Sequence, residues 1–380
     1  MRLSTLLALA VLIVIGGSLI GADRVGAGFP GANGRIAFVT ERDGNNEIYS
    51  MNADGTGQTN LSHDAARDSD PAWSPDGRRI AFTRDGEIYV MNSDGTGQTN
   101  LSHNTALDWT PAWSPDGTKI VFTSYRAGGG ELFVMNADGT GVVRLTNNAF
   151  YDRHPKWAPD GSKIAFESYR GGSWEIVTMD ADGTDQTVVA GHSSYDFEPD
   201  WSPDSTKIAW RGGRFDGIGD VLVMNADGTG ITNLTNDPSY QLQPAWSPDG
   251  ARIAYASVPG DNLEIYSMKA DGTGKTNLTR NAANDSDPDW QVAGAGPSFL
   301  LTVSKAGEGK GLVRSSPAGI RCGSDCAESY QGGALVVLTA TPRRGSTFVG
   351  WSGACTGTGS CTLTMNATKS VTASFAHPGG

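Results

Sequence analysis

Five aspartates occupy one position of a recurring stretch: Asp68, Asp108, Asp152, Asp196 and Asp285, each in an Asp-x-x-Pro run just ahead of a tryptophan, with Gln241 in the sixth place. If the repeats close into a ring, these carboxylates gather around its mouth. Such a ring suits a peptide or protein ligand. Beside it stand residues that differ from repeat to repeat: Trp109, Phe150, Tyr151, Arg153, Tyr195, Phe197 and Tyr240. Aromatics and arginine are the side chains that dominate protein interfaces, and aromatics next to aspartate also suit sugars. A carboxylate pair drawn from the ring would serve glycosidic cleavage, but that chemistry needs a separation that sequence does not show. The competing assignment is structural: each aspartate caps its own turn or pairs with an arginine of the adjacent loop, namely Arg42, Arg84, Arg126, Arg170 or Arg214.

Other catalytic constellations are poorly supported. The chain has five histidines, and His63 and His103 fall at equivalent repeat positions, which argues for structure. Gly350-Trp351-Ser352-Gly353-Ala354 misses the Gly-x-Ser-x-Gly pattern at its last residue. Gly307, Gly309 and Gly311 precede no helix, so they form no phosphate loop. Asp180-Ala181-Asp182-Gly183-Thr184-Asp185 resembles part of a calcium loop but lacks the remaining ligands, and turn chemistry explains it. No metal or cofactor is expected.

The elements that position these residues are read from the period. Trp73, Trp113, Trp157, Trp201, Trp246 and Trp290 are separated by 40, 44, 44, 45 and 44 residues. A period of about 40–45 residues indicates a propeller or solenoid. Each unit contains a Pro-x-Trp strand, a Ser-Pro-Asp-Gly turn, an Ile-Ala-Phe strand, a Glu-Ile-Tyr-Val-Met strand, an Asp-Gly-Thr-Gly turn and a short fourth strand. The tryptophans, one at the same place in every unit, are packing residues. The first unit, Arg35–Leu61, lacks its tryptophan strand, and Asp287–Gln291 supplies one with no unit after it. Pairing the two closes a ring of six four-stranded blades without an open sheet edge. All length variation falls between the second and third strands. That loop shares a face with the connection from strand four to the next blade, and variation confined to one face marks a binding face.

The repeat WSPDG-x-x-IAF…EIY-x-MNADGTG resembles the TolB-like six-bladed propeller family over residues 34–291. The resemblance implies a non-enzymatic, periplasmic or secreted protein that engages a protein partner on one propeller face. TolB itself carries a preceding α/β domain, for which the stretch between Ala27 and Gly34 leaves no room, so its role in the Tol–Pal system is not carried over. Beyond a linker at 292–298, the glycines at 307–311, the Cys322–Cys326 and Phe348–Cys355 segments and the run from Cys361 resemble the divergent internalin B-repeat family over 299–376. That family consists of small β modules on bacterial surface and secreted proteins.

Residues 1–27 read as a cleaved signal peptide, with Leu6–Ile15 as the apolar run and Ala27 before the cut; an uncleaved anchor is the rival. Residues 28–33 are a lead-in and 377–380 a tail. In an exported chain, Cys322, Cys326, Cys355 and Cys361 are expected as disulfides. Of three connectivities, Cys322–Cys326 and Cys355–Cys361 are favoured, since each pair flanks a short glycine-containing loop; the spacings suit zinc poorly.

Charge is segregated. Residues 28–297 carry 20 basic and 37 acidic side chains, net −17, whereas 298–380 carry 7 and 3, net +4. The acidic body argues against nucleic acid. The expected fold is all-β: a six-bladed propeller plus a small disulfide-stapled β domain. The expected function is an exported, non-catalytic scaffold that binds a protein or peptide of the cell envelope on the variable face. Its basic module would touch anionic wall polymers. The alternative is a secreted propeller that binds or cleaves polysaccharide.

Overall fold

The computed structural model describes residues 30–191, 195–213, 219–293, 298–316, 320–322, 326–331, 335–365 and 367–377. Residues 1–27, expected as a signal peptide, Arg214 and most of the linker lie outside that set.

Six four-stranded antiparallel sheets follow one another, five of them each built from one continuous sequence repeat. Blade II is typical, with strands Asp68–Trp73, Arg79–Arg84, Glu87–Asn92 and Thr99–Asn100 in that order from the axis outward. Blade I is completed from the far end of the domain. Strand Asp285–Ala293 lies beside Ala32–Thr40, with Ile36 opposite Trp290 and Thr40 opposite Asp285. The Gln291 side chain adds a bond from the Arg35 amide at 3.1 Å. The ring therefore has no unpaired inner edge at its seam, as the strand count predicted.

Packing explains the repeat. The second and third strands are apolar on both faces because each sheet is covered by a blade on either side. Ala37, Val39 and Ile48 of blade I pack on Trp73, Ile80 and Phe82 of blade II, while Ile36, Phe38 and Met51 on the other face meet Ala245, Ala254 and Ile265 of blade VI. The repeated tryptophans are 1–7% exposed. Trp113 and Trp201 reach across the blade boundary to donate Nε1–H to the Ala72 and Lys156 carbonyls at 3.2 Å.

The monotonous face is turn chemistry. Asp94 accepts the Thr96 amide at 3.0 Å and its hydroxyl at 2.6 Å. Gly95 takes φ 85°, and a Cβ there would overlap the Leu61 carbonyl oxygen of the preceding blade. The Asp-Gly-Thr-Gly runs are thus turns docked on a neighbour.

The variable loops lie together on the opposite side. Backbone bonds tie the loop between strands two and three to the connection that precedes an inner strand. Asp68 donates to Asn46 at 3.0 Å, Asp108 to Gly86 at 2.8 Å, and Asp285 to Leu263 at 2.9 Å.

The C-terminal module pairs two four-stranded sheets around Leu301, Val313, Val336, Leu338, Trp351 and Phe375. Eight strands are present among its described residues. Cys322 is bonded to Cys326 and Cys355 to Cys361, the favoured connectivity.

Candidate binding face and axial channel

The Asp-x-x-Pro segment is not a connection ahead of the inner strand, as the motif suggested; it is the first half of that strand, as in Asp108–Trp113 and Asp196–Trp201. Every inner strand carries a register shift in this segment, between Ser69 and Ala72 in blade II and between Arg153 and Lys156 in blade IV, for example. A bulge of this kind re-aims side chains. Here it turns the motif aspartate away from the axis and the residue before proline into it.

The five aspartates consequently form no solvent-facing ring. Asp68, Asp108, Asp152 and Asp285 have no exposed surface and Asp196 has 4%. Asp68 takes the Arg84 guanidinium in two bonds of 2.7 and 2.8 Å. Asp108 pairs with Arg126 at 2.7 Å and Asp285 with Arg42 at 3.1 Å. Asp152 is held by Ser168 and by Asn148 at 2.8 Å, and Asp196 by the Trp210 indole N–H at 2.8 Å. Gln241 binds Asp237 at 2.7 Å. Pairing with the adjacent-loop arginine holds for Arg42, Arg84 and Arg126, whereas Arg170 turns to Gln186 and Ser168. Committed to these bonds, the aspartates are not free to act as acid and base.

The channel is lined instead by Asp70, Thr110, His154, Glu198, Gln243 and Asp287. All six are left-handed, with φ between 51 and 55° except for His154 at 49°. The residue before a proline ordinarily prefers extended backbone, so each such conformation costs on the order of 1–3 kcal/mol and persists because its surroundings impose it. The ring is tied from blade to blade. The Glu198 amide donates to Glu167 at 3.1 Å, the Gln243 amide to Glu198 at 2.8 Å, and the Asp287 amide to Gln243 at 3.0 Å.

Charge is concentrated there. Burial would lower the pKa of His154, but the Glu167 carboxylate at 2.6 Å overrides it and lifts the imidazole to about 9. Burial, reinforced by the facing Asp70 carboxylate, pushes Asp287 up to about 7. One residue beyond each proline lies a second layer: Lys156 is 3.8 Å from Asp289, while Asp289 and Asp200 each accept a tryptophan amide of the next blade, Trp73 and Trp246, at 2.7 Å. Burial raises Asp200 to about 7 despite Lys156. The cavity between these groups is about 70 Å³, below the roughly 300–1,000 Å³ of small-molecule sites. Among the described residues no group of three or more His, Cys, Asp or Glu is placed to hold a metal ion.

The expected aromatic residues are on the variable face. Trp109, Phe150, Tyr151, Tyr195 and Tyr240 are each more than a third exposed. Blades IV and V join several of them into one ladder: Tyr169 to Trp174 at 5.4 Å, Trp174 to Phe197 at 5.9 Å, and Phe197 to Tyr195 at 6.2 Å between ring centres. Arg153 lies 3.9 Å over Trp174 and Arg211 lies 4.6 Å over Phe197. Sequence reasoning missed Trp174, Arg211 and the whole axial ring. Trp174 was open to notice as a tryptophan outside the repeated place.

The TolB beta propeller domain model matches residues 84–172 and 172–310. The chain belongs to the TolB β-propeller domain family. A divergent InlB B-repeat domain matches residues 303–378. Among curated proteins none matches the sequence. Of solved structures, TolB from Acinetobacter baumannii is 25% identical over 69% of this chain and 68% of its own, with a TM-score of 0.62. A putative TolB from Agrobacterium tumefaciens is 20% identical over 70% and 93%, with a TM-score of 0.56. Kuenenia stuttgartiensis hydrazine synthase shares the fold at 14% identity over 76% and 57%, with a TM-score of 0.59. TolB and an enzyme thus share this architecture, and chemistry has to be argued from the site.

Proposed function

We propose that this protein is an exported, non-catalytic scaffold that takes a protein or peptide of the cell envelope on the variable-loop face of its propeller. The Tyr169–Trp174–Phe197–Tyr195 ladder, with Arg153 and Arg211 stacked on it, carries the reading. Aromatic and arginine anchors of this kind supply most of the energy of protein interfaces. Trp109, Tyr151 and Tyr240 extend the face, and the axial ring gives its centre a charged floor. The two disulfides and the B-repeat module point to an extracytoplasmic protein; export through residues 1–27 belongs to the proposal. The narrow axis and the paired aspartates weigh against glycan cleavage, while glycan binding would draw on the same ladder.

The test is capture from envelope extract by the full chain, with Trp174→Ala/Phe197→Ala against wild type and against Ile231→Ser, an exposed residue away from the ladder. A partner retained by wild type and Ile231→Ser and weakened about 30-fold or more by the double variant supports the face. Equal retention by all three removes it, and a glycan-array signal lost in the same double variant would assign the ladder to sugar.

A further inference from the structure

The basic residues of the C-terminal module are not spread over its surface. Four of its seven lysines and arginines meet at one pole. Lys305 is the penultimate residue of strand Ser298–Ala306, and its Nζ reaches the Gly311 carbonyl at 3.4 Å. Lys310 lies in the following turn, where its amide donates to Ser346 Oγ at 2.9 Å. Arg343 and Arg344 form the next turn at that end, and the Arg343 amide donates to the Lys310 carbonyl at 2.8 Å. His377 joins the same end through its Nδ1, 2.8 Å from the Gly345 carbonyl oxygen. All five side chains are exposed, and Glu308 is the one carboxylate in these turns.

Cations whose backbones are hydrogen-bonded neighbours lie within a Debye length of about 8–10 Å, so they act together on a ligand. Their mutual repulsion is a standing cost that an anionic ligand relieves. We propose that this pole binds an anionic glycan polymer, one carrying repeated phosphodiester or carboxylate groups. Neither turn holds an aromatic ring on which bases would stack or a bulky apolar wedge for a bilayer: they read Gly307-Glu308-Gly309-Lys310 and Arg343-Arg344-Gly345-Ser346. The propeller, at net −17 over residues 28–297, is repelled by the same polymer. The polymer therefore takes hold of the module at its pole and leaves the propeller face free.

The experiment measures binding of the full chain to immobilised poly(glycerol phosphate) between 50 and 200 mM salt. Four contacts on a flexible polyanion predict a loss of about 50-fold across that range. Lys310→Gln/Arg343→Gln/Arg344→Gln, leaving one contact, should bind weakly and lose only about threefold. Lys310→Arg/Arg343→Lys/Arg344→Lys should behave as wild type, and Lys305→Gln/Arg344→Gln, checked for an unchanged melting curve, provides an intermediate if the triple variant fails to fold. Binding by the folded glutamine variants equal to wild type, or insensitivity to salt, overturns the proposal. So does tighter binding to phosphatidylglycerol vesicles or oligodeoxythymidine of equal charge. Low-salt self-association abolished by the triple variant would instead assign the pole to the acidic propeller of a second copy.

Discussion

Replacing Asp287 by asparagine should stabilise the propeller at neutral and alkaline pH and leave it unchanged near pH 4. Asp287 is raised from its ordinary 3.8 to about 7, first by burial and then by the Asp70 carboxylate it faces; Glu198 adds to the rise and His154 opposes it. An aspartate raised in this way holds a proton in the folded state that the unfolded chain has already released. Stability therefore falls as pH climbs from about 4 to 7 and the loss is complete above that. The full shift corresponds to about 4 kcal/mol. The side chain is only half-buried at the wall of a channel, so solvent screening reduces this to about 1–2 kcal/mol. Asparagine keeps an oxygen for the Gln243 amide and a polar group for Ser286. For a domain of this size the gain is about 3–6 °C in melting temperature. His154, raised to about 9, gives a stabilisation that is fully present below its unfolded pKa of about 6.5 and lost as pH rises through 9. The wild-type curve thus slopes further above pH 7, and the informative quantity is the difference between variant and wild type. Melting followed by circular dichroism at pH 4, 5, 7 and 8 measures it. A variant that gains as much at pH 4 as at pH 8, or that melts lower at pH 8, would refute the assignment of opposed carboxylates to the axis.

Arg84→Met should destabilise by about 3–5 kcal/mol, because it strands the buried Asp68 carboxylate, and Asp68→Asn/Arg84→Met should recover much of the loss in denaturant titrations. Trp290→Ala removes a side chain 1% exposed in the closing strand and should cost about 3–5 kcal/mol, read as a lower unfolding midpoint of the propeller. Reduction of both disulfides should lower the stability of the C-terminal module by about 2 kcal/mol per short loop, with propeller melting unchanged, which separates the two transitions in calorimetry.

The ring, its closure and the division into a turn face and a variable face were legible because each rests on contacts made once per blade. The buried tryptophan of each inner strand and the turn glycine lying against the blade before it, as Gly95 lies against Leu61, are periodic requirements, and periodic requirements leave periodic sequence. The orientation of the inner strand was not legible. Asp-x-x-Pro has the composition of a turn, and the residue before proline is expected to be extended, so nothing local announces the left-handed bulge that buries Asp108 and turns Thr110 to the axis. The signal lay in the column of residues itself. Between a nearly constant aspartate and a constant proline, the position reads Asp70, Thr110, His154, Glu198, Gln243 and Asp287, and no two neighbours in chain order agree. In the module, the two-residue strand Arg321–Cys322 is too short for alternation to mark, and its place is set by pairing and a disulfide.

The same contrast bears on what the axis is for. After the proline, three blades carry alanine, Ala72, Ala112 and Ala245, and three carry charge, Lys156, Asp200 and Asp289. Alanine shows that the fold needs only a small side chain at this position. Charges there are held by bonds that an alanine blade does without: Asp289 and Asp200 each take a tryptophan amide of the next blade, and Lys156 lies against Asp289. Asp200 and Asp287, both raised to about 7, show that the axis disfavours its carboxylates in the ionised state. Closure itself rests on the backbone pairing of Ala32–Thr40 with Asp285–Ala293, which three blades' alanines show does not require charge at this position. Carboxylates so placed around the axis suit a ligand that brings a cationic group to the channel mouth, and this is where the proposed protein or peptide partner would be read most closely.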